Sequence, residues 1–299
     1  MTDPSPPFRP SPMPFILLLD EPVRYVRAHF RAIFPSMAVP VAVLSTLAGV
    51  AQAIEFQRMV SGGAGETEFW TPGILLIALL LGIVAAFAYV AGQVAALDAL
   101  AGRPVDMKRA WRFALRPAVW GTLLLVALAI FASFIACVLP VFFVAPLLSF
   151  TIPVMVEERV FGPSALARSA VLARFNSGGT WTGSPILKIL VLMLVSTLIT
   201  YMAGVMVTLP FQLPMFVDIF RNAVTGKEDL QGTMARWIWF QVPAQFLSAL
   251  VRTAIYLYTA FGLGLLFSDV RGWKEGVDLR SEIDALFPAP APPAGVARP

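Results

Sequence analysis

The sequence predicts an all-α fold: a polytopic transmembrane helix bundle of about six spans with amphipathic interfacial helices. Three observations predict it. Of the 299 residues, 58% are hydrophobic and 13% charged, against about 45–50% and roughly 25% in soluble domains. That leaves too little polar surface to cover a globule of this size. Several apolar runs reach 20 residues or more, and about 20 helical residues cross a hydrocarbon core of roughly 30 Å. The basic residues between those runs are strongly one-sided. A soluble enzyme, a secreted disulfide scaffold and a nucleic-acid-binding domain are poor readings of such a chain.

Residues 1–14 carry six prolines, each lacking an amide proton and fixing φ, so an extended, disordered tail is expected. From residue 16 to 34 the pattern is ILLLDEPVRYVRAHFRAIF. Arg24, Arg27 and Arg31 recur at helical spacing beside Val23, Tyr25, Val26 and Phe30. This predicts a short amphipathic helix in the cytoplasmic interface, its arginine stems reaching anionic lipid phosphates. The first span is expected over 33–54, with Pro35 and Pro40 near its start. A glycine-rich loop follows, and Trp70 and Pro72 open a second span over 72–97.

DMKRAWRFALR (106–116) reads as a second interfacial helix. Asp106 is its N-cap, and Lys108, Arg112 and Arg116 form an i, i+4 row of lipid-facing bases opposite Met107 and Trp111. The third span covers 118–139. Pro140 then interrupts an apolar stretch that runs on to Val156, too long for one crossing and just enough for two. A hairpin with a short fourth span over 141–156 is therefore expected, a re-entrant loop being the alternative.

Gly162-Pro163 marks a turn, residues 164–174 a third amphipathic helix, and 176–183 a loop. The fifth span, 186–209, is expected to end at Pro210 and Pro214, with FQLPMFVDIFRNA along the outer surface. In the sixth run, Trp237 to Phe267, Pro243 splits an interfacial piece from the crossing at 244–267. Residues 15–279 thus read as one membrane domain, and 280–299 as a cytoplasmic tail, proline-rich at its end.

Seventeen of the 22 Lys and Arg lie in the four segments that share the amino-terminal side, and four lie on the opposite side. The positive-inside rule then predicts six crossings with both termini in the cytoplasm. Ala51-Gln52-Ala53 has the form of a signal-peptidase site, but the preceding polar segment is far too long for an n-region.

Bond-breaking chemistry needs converging groups, and none is evident. There is no phosphate loop ending in Lys-Ser or Lys-Thr, no Gly-x-Ser-x-Gly elbow and no paired histidine. One histidine, His29, and one cysteine, Cys137, exclude an intrachain disulfide and predict no metal centre and no cofactor. Arg252 is the most informative residue. Placed deep in the sixth run, an arginine costs about 2.5–3.5 kcal/mol on insertion scales. Gln245, Ser248 and Arg252 share a helical face, and Gln93 and Asp98 are candidate partners. The functional reading is a polar solute or anion site; the structural one is a snorkelling arginine. Ala85, Ala88, Gly92, Ala95, Ala96 and Ala99 form a small-residue seam for packing within the bundle or between protomers.

Two stretches resemble known motifs. PVMVEERVFGPSALARSAVLAR presents Pro153, Glu158, Ala165, Arg168, Ser169 and Leu172. LLFSDVRGWKEGVDL presents Asp269, Arg271, Glu275, Gly276, Asp278 and Leu279. With six spans and an amino-terminal amphipathic helix, the chain resembles the bacterial membrane-domain family named after the membrane region of glycerophosphoryl diester phosphodiesterase. In that enzyme a separate catalytic barrel uses histidines, acidic residues and a divalent metal. This chain stops about 30 residues after its last span with one histidine, so the resemblance implies a stand-alone membrane protein without the catalytic half. Physically, both motifs fall at cytoplasmic span ends. An ion-pair cluster of Glu157 or Glu158 with Arg168, Asp269 and Arg271 is predicted there.

The leading expectation is a non-enzymatic integral membrane protein of a bacterial inner membrane, serving as a scaffold or partner subunit. The next is a transporter or channel-like subunit with a polar site at Arg252, Gln245, Ser248 and Gln93. A lipid-handling subunit assisting a separate phosphodiesterase rests on the resemblance alone. Expected partners are membrane lipids with anionic headgroups, other proteins or further copies of the chain, and no nucleic acid.

Overall fold

The computed structural model describes residues 13–60, 72–136, 138–174, 184–225, 233 and 236–276. Cys137, the glycine-rich loop, the 176–183 loop, both tails, Asp278 and Leu279 lie outside the described residues. The elements are α1 (Phe15–Val60), α2 (Pro72–Leu100), α3 (Met107–Ala114), α4 (Pro117–Ala136), α5 (Val138–Leu148), α6 (Thr151–Glu157), α7 (Pro163–Ala173), α8 (Pro185–Val224), a 3-10 turn (Ile238–Phe240) and α9 (Gln241–Glu275). Among the described residues there is no strand. Five helices are long and apolar enough to cross a membrane: Phe15–Arg58, Pro72–Leu100, Pro117–Ile135, Pro185–Val224 and Ile238–Glu275. This is an all-α membrane protein.

The apolar segment after α4 is shorter than these five. α4 begins beside the α6–α7 turn, where the Gly162 amide donates to Thr122 Oγ1 at 2.7 Å. The end of α6 pairs Glu157 with Arg103, just after α2. Segment 117–157 therefore leaves one end of the bundle and returns to it, as a hairpin must. The return is broken between α5 and α6. At the break Ser169 of α7 donates to the Leu147 carbonyl at 2.7 Å, which keeps that acceptor satisfied.

Two expected helix ends are corrected. The amphipathic segment 16–34 is not separate from the first span: α1 is one helix containing Pro22, Pro35 and Pro40, about 69 Å long at ~1.5 Å per residue. Likewise Pro210 and Pro214 do not end the fifth span, because α8 runs through both to Val224. The 211–223 segment continues that helix. Trp237 Nε1 donates to Asp218 Oδ2 at 2.8 Å and ties this extension to the chain entering α9. An interior proline costs ~3 kcal/mol. Ending a helix in lipid exposes several backbone groups at several kcal/mol each, so carrying the proline is cheaper. Pro243 lies in the first turn of α9, behind the 3-10 turn.

α9 is the central helix, packed against α1, α2 and α8. Lipid tails provide no hydrophobic drive between helices, so close backbone approach has to supply the packing energy. Three glycines provide it. A Cβ on Gly92 would stand 2.4 Å from Met37 Cε, on Gly262 2.9 Å from Leu192 Cδ2, and on Gly264 2.8 Å from Leu100 Cδ1. Gly92 and the buried Ala88, Ala95, Ala96 and Ala99 of the α2 seam thus pack inside one chain, against α1 and α9. Phe261 lies against Tyr25 at 5.8 Å and Phe267 against Phe150 at 5.8 Å.

α3 forms as its pattern dictates. Asp106 accepts from the Lys108 and Arg109 amides at 2.9 and 3.2 Å, and Trp111 Nε1 donates to Ser36 Oγ at 3.0 Å. Lys108, Arg112 and Arg116 are exposed on its other side.

Candidate intramembrane groove

The charged side chains at one end of the bundle form three separate clusters where one was expected. Arg168 pairs with Glu158 at 2.9 Å and with Glu275, and Arg271 pairs with Glu275 at 3.1 Å and approaches Glu158 at 3.9 Å. The two motif stretches therefore meet as one clamp holding α7 to α9. Glu157 and Asp269 are not among its pairs. Glu157 pairs with Arg103, which also reaches the buried Asp98 at 2.8 Å. Asp269 accepts the Met13 amide at 3.1 and 3.2 Å, while Lys188 Nζ donates to the Met13 carbonyl at 2.8 Å. Glu275, Arg103 and Lys188 escaped the sequence reading, because their partners lie far away in the chain. For the clamp, Arg168→Ala is expected to cost about 1–2 kcal/mol, a modest figure because all four side chains are partly hydrated. Thermal melting in detergent checks it; an unshifted midpoint would show that the clamp holds nothing.

The polar feature with room for a ligand lies elsewhere. Between α2, α8 and α9 there is a cleft of about 920 Å³. Its α9 wall presents Ser248, Arg252, Tyr256 and Thr259, and its α8 wall presents Ser196, Thr200, Gly204 and Thr208, at every fourth residue. Tyr89 faces them from α2, its ring 5.8 Å from Tyr256 and edge-on. Thr197 and Tyr201 add two more hydroxyls, the rest of the lining is small or apolar, and none of it is acidic.

Arg252 lies level with the middle of α2. α2 and α9 run parallel, with Tyr89 beside Tyr256 and Leu97 and Leu100 beside Gly264. That register puts Arg252 level with Ala86, midway along α2 and about 21 Å from either end at ~1.5 Å per residue. Arg252 makes no ion pair or hydrogen bond with any described residue and is exposed toward the cleft.

The surrounding groups leave both donors and acceptors available. Gln93 is fully buried and donates to Tyr89 Oη at 3.0 Å, which frees the tyrosine's own hydrogen. Its Oε1 has no partner among the described residues, a burden of ~1–3 kcal/mol in a dry site. Thr200 and Thr208 donate to the Ser196 and Gly204 carbonyls at 2.7 and 2.9 Å, so their oxygens remain acceptors. Thr259 meets Ser196 Oγ at 3.0 Å.

Of the residues proposed from sequence, the structure brings Arg252 and Ser248 into the cleft and puts Gln93 directly behind Tyr89. It does not bring Gln245 there. Gln245 donates to Gln52 Oε1 at 2.9 Å and lies against Gly49 of α1. Positions seven apart drift by about 20° around a helix, and α1 takes the outer end of that stripe. Asp98 belongs to Arg103 and Arg109, not to Arg252. The Ser196-Thr200-Gly204-Thr208 stripe was missed, although its i, i+4 spacing is visible in the sequence.

A second, shallower feature involves α1. Arg24 pairs with Glu21 at 3.5 Å, whereas Arg27 and Arg31 border a notch of about 530 Å³ with Val23, Val26, Phe30 and Tyr258. His29 stacks on Phe261 at 6.3 Å. Among the described residues no three of His, Cys, Asp or Glu gather as metal ligands would. No protein-family model, curated protein or solved structure matches the chain, so the family resemblance rests on its two motifs.

Proposed function

We propose that this chain is a non-enzymatic integral membrane protein that takes an anionic ligand at Arg252, as a transport or lipid-handling subunit does. One observation carries the reading: an arginine level with the middle of the apolar helix α2 that opens on a large cleft with no carboxylate in its lining. Stranding a guanidinium there costs about 2.5–3.5 kcal/mol. A purely structural role would offset that cost with a partner, as Asp98 and Glu157 do for Arg103. Here the offset is left to something that binds. The non-enzymatic part is supported by the sequence, which offers one histidine and no nucleophile motif.

The charge census supports assigning the ion-paired end to the cytoplasm of a bacterial inner membrane, with Met13 and Asp269 meeting there. Exposed Lys108, Arg112 and Arg116, just past the end of α2, then stand where anionic headgroups lie.

Thermal melting with a panel of anions, from inorganic phosphate to decanoate, tests the reading. At least one anion is expected to raise the midpoint of the parent protein. Arg252→Gln is expected to melt no lower than the parent, since it removes an unpaired charge from hydrocarbon, and to lose the protection. Equal protection of the Gln variant would remove Arg252 from any ligand site.

A scaffold or partner-subunit role is favoured by a different observation. The Arg168 clamp fixes α7 against α9 and leaves Val171 exposed on the outer side. Co-purification from native membranes with and without Val171→Glu tests that surface; a recovered partner unaffected by the change would count against α7.

A further inference from the structure

We infer that the cleft is a slot for the headgroup of an anionic phospholipid, entered sideways from the bilayer and closed toward the ion-paired end of the bundle. This rests on the anion reading of Arg252 and adds the class of ligand and its route.

The route follows from what is open and what is shut. Ala86, Thr197, Tyr201, Val205 and Arg252 are all exposed along the cleft. That flank, between α2 and α8, is open at the level of the middle of α2. Toward the ion-paired end the cleft is closed. Thr259 meets Ser196 at 3.0 Å, and one and two turns further the backbone of α9 closes on Leu192 at Gly262 and on Leu97 and Leu100 at Gly264.

The class follows from the lining. Arg252 and the hydroxyls stand beside Val205, Val251 and Ile255 in one cleft open along its α2–α8 flank, so the ligand that matches it carries a phosphate and apolar chains together. Burying those chains adds about 0.8 kcal/mol per CH₂ toward the cost of desolvating the phosphate. The polar lining extends from Ser248 to Thr259, about 16 Å along α9, long enough for Arg252 to take the phosphate while the hydroxyl oxygens of both stripes accept from a polyol. The apolar Val205, Val251 and Ile255 between them suit the first carbons of the chains.

The test uses the full chain in neutral detergent, with apparent affinity read from the concentration dependence of melting. The probes are dihexanoyl phosphatidylglycerol, dihexanoyl phosphatidylcholine and inorganic phosphate. Gly204→Phe and Gly82→Phe fill the slot from opposite walls. A Cβ at either position meets nothing within 4 Å, and a melting midpoint near the parent's without ligand checks that each variant folds. The anionic lipid is expected to bind the parent at least about tenfold more tightly than the other probes, a margin of about 1.4 kcal/mol. Either phenylalanine, or Arg252→Gln, is expected to weaken it by a similar factor. If phosphate alone matches the lipid in an Arg252-dependent way, the slot is overturned and the anion reading stands. If the lipid binds but both phenylalanine variants bind it normally, the slot is again overturned. If no anion depends on Arg252, both readings fall.

Discussion

Arg103→Ala is expected to destabilise the protein by about 3 kcal/mol. Arg103 links the end of α2 to the end of α6. Its Nε lies 2.8 Å from Asp98 Oδ1, and its Nη2 pairs with Glu157. The first contact is an ion pair whose angle falls short of a hydrogen bond. The second is hydrogen-bonded. Burial pulls the Arg103 pKa down, but the Glu157 hydrogen bond and the charges of Glu157 and Asp98 raise it by more, so the net shift is upward. Its charge therefore persists at any working pH.

The Asp98 side chain is 1% exposed and the Arg103 side chain 38%. The exposed guanidinium is screened, so the magnitude comes from stranding the buried carboxylate. Arg109 at 3.7 Å offers it only partial replacement. Arg103→Lys is expected to recover less than half of the loss, because an ammonium cannot present the planar fork that spans two carboxylates. Asp98→Asn on the Arg103→Ala background should regain stability, since a neutral amide costs less to bury. Melting in detergent across this four-member cycle measures the coupling. Additive effects of the two changes would mean that the pair does not interact.

Asp269→Ala is expected to cost about 2–4 kcal/mol and to release the amino-terminal segment. The Met13 backbone is held on both sides of its Cα, the amide by both oxygens of Asp269 and the carbonyl by Lys188 Nζ. Lys188 is 4% exposed, so losing the nearby carboxylate leaves a buried ammonium facing one neutral acceptor. Further along, Leu18 is fully buried and Tyr258 Oη donates to the Leu19 carbonyl at 3.2 Å. Those contacts should keep the remainder of α1 in place. The expected signature is a lower melting midpoint together with new protease cleavage before Leu18. Asp269→Asn keeps one acceptor oxygen and should lose less than alanine. Parent-like melting with no new cleavage would show that the Met13 contact does not anchor the chain.

These clusters also show why one charged site was expected and three are found. Glu157, Glu158, Arg168, Asp269 and Arg271 share one end of the bundle, which hydropathy and charge counting place correctly. Choosing partners within that end requires distances between helices that meet only in the fold. Glu157 points to the loop after α2, whereas its neighbour Glu158 points to α7.

What this sequence determined alone is what the bilayer imposes locally: helices of spanning length, polar connections, the Asp106 cap and the small-residue seam of α2. Each depends on residues within a few turns of one another, because hydrocarbon demands apolar surface and internally satisfied backbone at every point along a crossing. The tertiary structure alone decided whether Pro22, Pro35, Pro210 and Pro214 end a helix or ride inside one, since neighbouring helices set the cost of the missing bond. It also decided that Arg252 faces hydroxyls of α8 while Gln245, on nearly the same stripe, faces α1. That choice belongs to how helices cross, a long-range quantity that no local period encodes.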